Sequence, residues 1–325
     1  ADNAYIIMGC AIVTDFVQKM LAWTAVAAAA MTTNACARSK DRRARQVRYE
    51  RPGSRSFRSD MYTEAQTVRR TTARQPPAAI VRLVVHAVLA WLYGHAMWMS
   101  GSVDWDSISY PTITEVGKYM RFMLTLWTLC MHLGFFSIAT VLDFFELLSL
   151  PVIIRKINNA IREINDFFFM TVMVPLSLCV CGGFWAAWIL FGNAVYPSEI
   201  NNIIPVFINH VSHSTPMFVA FIELLLIYHP SPRIKPAIAS LLTVETIYLA
   251  TMIVLRVQTG RWVYLLIDIY LDTILKFIVV FSFLSYIIPT IFLVTCLRLN
   301  NFVWGFRINQ YDTENDSLQR NKKIT

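Results

Sequence analysis

Charge is scarce in this chain, and the scarcity sets its class. Asp, Glu, Lys and Arg make up 15% of 325 residues and hydrophobic residues 56%, whereas roughly a quarter of a soluble domain is charged. A chain so poor in ionic side chains cannot cover a water-facing surface, so a membrane is its first expected solvent. Cysteine is sparse as well. Cys130, Cys179, Cys181 and Cys296 lie in apolar runs without metal-ligand spacing, which predicts neither a disulfide framework nor a zinc ribbon. Cys179-x-Cys181 is too close for a redox pair, so its thiols are expected to pack. There is no Gly-x-Ser-x-Gly elbow, no phosphate-binding glycine loop and no His-Glu-x-x-His, so the common soluble hydrolase templates are absent. No repeat of solenoid period occurs either.

The charge that is present is concentrated. Between Arg38 and Arg74 twelve Lys/Arg stand against Asp41, Glu50, Asp60 and Glu64, a local excess equal to the whole chain's net +8. That block is expected to be a solvated, disordered tail. Because it precedes a hydrophobic run, it suits an anionic lipid leaflet rather than nucleic acid. Trp98, Trp105 and Trp262 stand where apolar runs meet polar loops, as an interfacial belt requires.

Six apolar runs approach the roughly 20 residues needed to cross a bilayer as helix: Ala79 to Met99, Tyr119 to Leu142, Phe167 to Phe191, Ile203 to Tyr228, Ala237 to Leu255 and Thr273 to Leu297. An earlier semi-apolar segment, 5–31, carries Asp15, Gln18 and Lys19. Central charges cost about 2.5 to 3.5 kcal/mol each on insertion, so this segment is not counted. Positive residues gather in the second loop (Arg155, Lys156, Arg162), the fourth (Arg233, Lys235) and the C-terminal tail (Arg307, Arg320, Lys322, Lys323), while the third loop has none. The expected fold is thus an all-α integral membrane protein, a six-helix bundle with both termini cytosolic. Residues 1–77 form the tail, 78–304 the membrane domain and 305–325 a cytosolic tail. Asn315-Asp316-Ser317 fits a glycosylation acceptor, but a cytosolic position would keep it unmodified. The expected setting is a multi-pass protein of the endoplasmic reticulum, wider endomembrane system or plasma membrane.

Polar groups inside spans cost free energy unless they meet a partner, water or the bundle interior, so they are the informative residues. The fourth run contains Pro205, Asn209, His210, His213 and Pro216, then Glu223. Asn209 and His213 share a helical face one turn apart. The two prolines remove backbone donors and loosen the ladder around them. In the second run Thr125 lies near His132 on one face. A membrane-helix Thr ordinarily bonds the carbonyl four residues back. The sharper reading makes Thr125 a nucleophile, which requires a neutral imidazole to take its proton. Counted from the same membrane face, Thr125 and His213 differ in depth by about 6 Å at 1.5 Å per residue, within side-chain reach. His210 and His213 also resemble half of a metal pair, but the remaining His86, His95, His132 and His229 supply no second box, and no metal or organic cofactor is expected.

The order Val195-Tyr196-Pro197, Ile204-Pro205, Asn209-His210-Val211-Ser212-His213-Ser214-Thr215-Pro216, Glu223, His229-Pro230 and Pro232-Arg233 closely resembles the androgen-induced-gene (FAR-17a-like) family of membrane proteins. Asp166 with Pro175, Thr259-Gly260-Arg261-Trp262-Val263-Tyr264 and Leu299-Asn300-Asn301-Phe302-Val303-Trp304 extend the similarity, which runs from about Lys118 to Trp304. The resemblance implies a six-span hydrolase of fatty acid esters of hydroxy fatty acids with a threonine nucleophile and a histidine base. It maps the Leu-Thr motif onto Leu124-Thr125 and selects His213 as the catalytic imidazole. Ser214-Thr215 stands where the family often has Thr-Thr. Asn209 is the candidate for orienting or stabilising the site, and His210 and Glu223 are candidates for support. Two rival classes are a non-enzymatic signalling or scaffold protein, in which these groups only hold helices together, and a lipid or ion transporter with a continuous water path.

Overall fold

The computed structural model describes residues 76–148, 150–271 and 273–305. These fall almost entirely within one compact unit, Ile80–Thr325. The basic tail up to residue 75, segment 5–31 and the C-terminal tail beyond residue 305 lie outside the described residues.

All regular structure among the described residues is helical. Helix α1 spans Pro76–Gly101, a short α2 Pro111–Tyr119 and α3 Leu124–Leu147. Then come α4, Val152–Phe168, α5, Val174–Phe191, α6, Val206–His213, and α7, Thr215–Leu226. Last among the described residues are α8, Ile234–Thr259, the short α9, Leu265–Tyr270, and α10, Ile274–Ser282, which runs on through a π turn at Phe283–Ile287 into further helix up to residue 305. Among the described residues five helices are long and apolar enough to cross a membrane: Ala79–Gly101, Leu124–Leu147, Val152–Ala194, Ile234–Thr259 and Ile274–Gly305. The chain is a multi-pass membrane protein.

The fourth expected run differs. It folds as two helices, α6 and α7, neither of which alone has the length of a span. Pro216 causes the break, because it lacks an N–H for the Ser212 carbonyl and its ring crowds the turn before it. Ser214 accordingly leaves helical geometry at φ −123° and ψ −52°. Pro175 acts more gently between α4 and α5, where a π turn over Phe169–Met173 absorbs the missing bond and the helix continues.

The second expected loop is also helix. Along α4, Asn158, Asn165 and Asp166 are buried, while the exposed side carries Ile153, Ile157 and Ile161 together with Arg155, Lys156 and Glu163. The bundle satisfies the buried polar groups, and the mixed exposed side suits the boundary between lipid and water. Trp98 is exposed on α1, as an interfacial residue should be, but Trp262 is not. Trp262 stacks on Phe277 at 3.7 Å and its indole N–H donates to the Leu271 carbonyl. The Gly260–Tyr264 loop that carries it is a packed plug, turned by Gly260 at φ 73° as the left-handed end of α8. Lipid is as apolar as a side chain, so interior contacts such as Phe135 on Phe169 at 4.7 Å hold helices by close packing rather than by escape from water.

Candidate active site

The first turn of α3 and the last turn of α6 meet. Met123 is extended (φ −71°, ψ 140°), so α3 starts abruptly at Leu124 and Thr125 stands in its first turn. Helical N–H groups there lack partners within the helix. Leu124 resolves this by donating its N–H to two phenol oxygens, Tyr264 Oη at 2.9 Å and Tyr248 Oη at 3.2 Å. The two hydroxyls bond each other at 2.8 Å. Thr128, one turn further on, bonds the Leu124 carbonyl in the ordinary way. Thr125 instead places Oγ1 3.2 Å from His213 Nε2.

Neighbours of the imidazole fix its tautomer. His213 Nδ1 lies 2.7 Å from Asn209 Oδ1 and 3.2 Å from the Asn209 carbonyl. Both oxygens only accept, so Nδ1 carries the proton and Nε2 presents its lone pair to the Thr125 hydroxyl. Phe184 covers one ring face, with centroids 3.7 Å apart and planes 14° from parallel. The helix break leaves the His213 carbonyl free, and Trp185 takes it by donating Nε1–H at 2.9 Å. The same indole donates to Ser214 Oγ at 3.1 Å. A hydroxyl, a neutral base with a fixed lone pair and an amide that orients the base can together generate an alkoxide nucleophile.

The other expected residues divide. His210 is exposed and stacks on Trp185, with Nδ1 3.2 Å from Ser214 Oγ, so it braces the break without touching Thr125. His132 turns to its own helix, donating from Nδ1 to the Thr128 carbonyl at 2.7 Å, and its Nε2 meets Ser177 Oγ at 3.3 Å. Glu223 is not part of the Thr125–His213 pair. Ten residues further along the chain, it bridges His86 Nε2 at 3.3 Å and His229 Nε2 at 3.4 Å. That second cluster continues from His86 Nδ1 to Asp143 at 2.7 Å, from Arg162 to Asp143 and Glu146, from Arg82 to Glu146, and from His229 Nδ1 to Asp166 at 3.0 Å. Among the described residues no group of three or more His, Cys, Asp or Glu is arranged to hold a metal ion.

Sequence reasoning gave no role to Tyr248, Tyr264, His86 or Asp143. A tyrosine in an apolar helix looks like core, and only contact with a distant backbone N–H distinguishes Tyr248. The signal for the cluster was present, since His86 and Asp143 are polar groups inside expected or adjoining helix. Burial holds the Tyr264 phenol above its ordinary range, so it is a protonated donor near neutral pH.

Helices with lipid-facing apolar surfaces and polar groups turned inward define a polytopic membrane protein. A family model described as FAR-17a/AIG1-like protein matches residues 81–301, and the chain belongs to that family. The chain is 28% identical over 182 residues to the androgen-dependent TFPI-regulating protein of Rattus norvegicus, covering 56% of this chain and 76% of that protein. It is 27% identical over 141 residues to the Homo sapiens protein of the same name, covering 43% and 60%. Similarity to the androgen-induced gene 1 protein of Homo sapiens is 23% over 164 residues, or 50% and 68% of the two chains. No solved structure matches.

Proposed function

We propose that this protein is a membrane-embedded lipid-ester hydrolase, with Thr125 as nucleophile and His213 as base, acting on fatty acid esters of hydroxy fatty acids. The observation that carries the reading is the 3.2 Å approach of Thr125 Oγ1 to a His213 Nε2 whose other nitrogen is held by Asn209. A hydroxyl is inert near pH 7 without such a base. Thr125 attacks the ester carbonyl as its proton passes to Nε2, the imidazolium protonates the departing hydroxy-lipid, and water then cleaves the acyl-threonine. The cycle uses this chain's own side chains and water. The family's ester substrates are branched and apolar, and a site between helices admits them sideways from the bilayer.

The topology that goes with this function has six crossings, with α6 and α7 together making the fourth and both termini in the cytosol. The protein then resides in the endoplasmic reticulum, endomembranes or plasma membrane, with the basic tail against anionic lipid and no nucleic-acid partner. A fluorophosphonate probe tests the chemistry: the full chain should be labelled, and Thr125→Ala and His213→Ala should each abolish labelling while remaining folded. Labelling that survives Thr125→Ala would sink the reading and point to Ser212 or Ser214 instead. A lipid-linked phenotype indifferent to both changes would favour a scaffold role.

A further inference from the structure

The proposed hydrolysis lacks an assigned group for the charge that develops on the ester oxygen. A negative oxygen forming between apolar helices is best met by donors already in place, which need not reorient as the charge appears. The sequence names none, and Asn209 is committed to His213 Nδ1 through its Oδ1. Its Nδ2 leaves one donor on the α6 side, and a second group of donors clusters around the start of α3.

The hydrogen-bond ledger of the tyrosine pair is informative. A phenol oxygen accepts two bonds and donates one. Tyr264 Oη receives the Leu124 N–H at 2.9 Å and lies 2.8 Å from Tyr248 Oη. Of the two phenolic protons, one makes the tyrosine–tyrosine bond, and the other has no acceptor among the described residues. Tyr248 is 1% exposed within the buried cluster that holds Leu249, Met252 and Phe277, whereas Tyr264 is half-buried and lies in the loop after α8. Tyr248 is therefore the inner member, donating to Tyr264, and Tyr264 is the outer member, with its proton free to face a guest. A second donor is adjacent: the Thr125 N–H, next to that of Leu124 in the first turn, points out of the same helix end and has no partner within the helix.

We propose that Tyr264 is the oxyanion donor of the reaction, with the Thr125 N–H beside it and Tyr248 as a positioning residue that holds and polarises the Tyr264 hydroxyl. This rests on Thr125 being the nucleophile. As Thr125 Oγ1 bonds to the ester carbon, its proton goes to His213 Nε2 and the carbonyl π pair moves onto oxygen, where Tyr264 O–H and Thr125 N–H receive it. That pair then re-forms the C=O, the C–O bond to the hydroxy-lipid breaks, and the leaving oxygen takes the proton from His213. Attack by water on the acyl-threonine repeats the sequence and returns a proton to Thr125. The positive end of the α3 dipole faces the same oxygen.

The test uses the full chain in membranes or detergent with a fatty acid ester of a hydroxy fatty acid as substrate, reading kcat and KM separately alongside thermal melting. Tyr264→Phe keeps the ring and should lower kcat about 100- to 1,000-fold with KM nearly unchanged, the usual loss for one oxyanion donor. It should weaken a trifluoromethyl ketone, whose hydrate-like adduct carries the oxyanion, by a similar factor. Tyr248→Phe should lower kcat about tenfold, again at constant KM. If the wild type shows Thr125-dependent turnover and Tyr264→Phe retains its kcat, this assignment fails while the hydrolase reading stands. Should Tyr264→Phe not fold, an unchanged kcat in Tyr248→Phe overturns the assignment equally. A wild type without Thr125-dependent turnover removes both.

Discussion

The bundle holds two polar regions built on opposite principles. One, at the junction of α3 and α6, is bonded through uncharged side chains: Thr125, His213 and Asn209 bond in a line, and Tyr248 with Tyr264 caps the helix start, with the buried carboxyl of Glu245 one turn before Tyr248. The other joins α1, α3, α4, α7 and the loop after α7 through charged groups: Arg82, His86, Asp143, Glu146, Arg162, Asp166, Glu223 and His229. Charges in a low-dielectric interior are tolerable only when partners surround them, so the second region binds its members to one another and leaves little reactivity over. A neutral cluster costs less to bury, and it can leave one lone pair facing one hydroxyl. On the proposed function, reactivity and cohesion fall at opposite ends of α3.

Removing a member from each region should break this comparison in opposite ways. Asp143 is fully buried and holds both His86 and Arg162. Asp143→Ala takes one carboxylate from each and leaves Arg162 with Glu146 and His86 with Glu223; breaking a buried pair costs up to about 3–5 kcal/mol, so thermal melting in detergent should show a clear loss of stability. Thr125→Ala should melt within about 1 kcal/mol of wild type, the net worth of one hydrogen bond. A stable Asp143→Ala protein would mean that the charged region does not tie the bundle.

Asn209→Ala gives the next largest effect, on rate rather than stability. Without the Oδ1 acceptor at 2.7 Å, His213 Nδ1 keeps only the backbone carbonyl at 3.2 Å and the ring is free to tilt or change tautomer. Misplacing a base by about 1 Å costs up to roughly 100-fold, so fluorophosphonate labelling should slow by about 10- to 100-fold in a protein that melts normally. Labelling at the wild-type rate would show that the backbone alone orients the base.

The helices were legible because apolar length is a local property, and so was the Asn209–His213 pairing, which needs only the four-residue turn. The helix break was half legible: Pro216 announced weakened backbone bonding, but the stranded carbonyl of His213 is taken by Trp185, 28 residues before it in the chain. Glu223 shows what proximity in sequence leaves open. It belongs to the same expected run as His213, yet it lies beyond the break at Ser214, on α7, in a cluster with His86, 137 residues away in sequence. Partners at such separations leave no periodic trace in one sequence. Tyr264 and Leu124, 140 residues apart, are of the same kind.

Acidity provides the smallest and most selective contrast. His229 sits in the loop after α7, almost wholly buried, between Asp166 on α4 and Glu223 on α7, with Phe169 against its ring and Asn300 donating to its carbonyl. Burial pulls its pKa down, but the two carboxylates outweigh that and hold it above the ordinary imidazole value. A group raised in the folded state contributes its full stability below its unfolded pKa and loses it as pH climbs through the folded one. Melting temperature should therefore be level below the ordinary imidazole pKa and decline as pH rises above it, by on the order of 2–4 °C for each kcal/mol lost. His229→Gln should lower the starting value and flatten the decline, since the amide hydrogen-bonds without titrating. A decline equally steep in His229→Gln would transfer the pH sensitivity to another group and separate this loop from the charged tie.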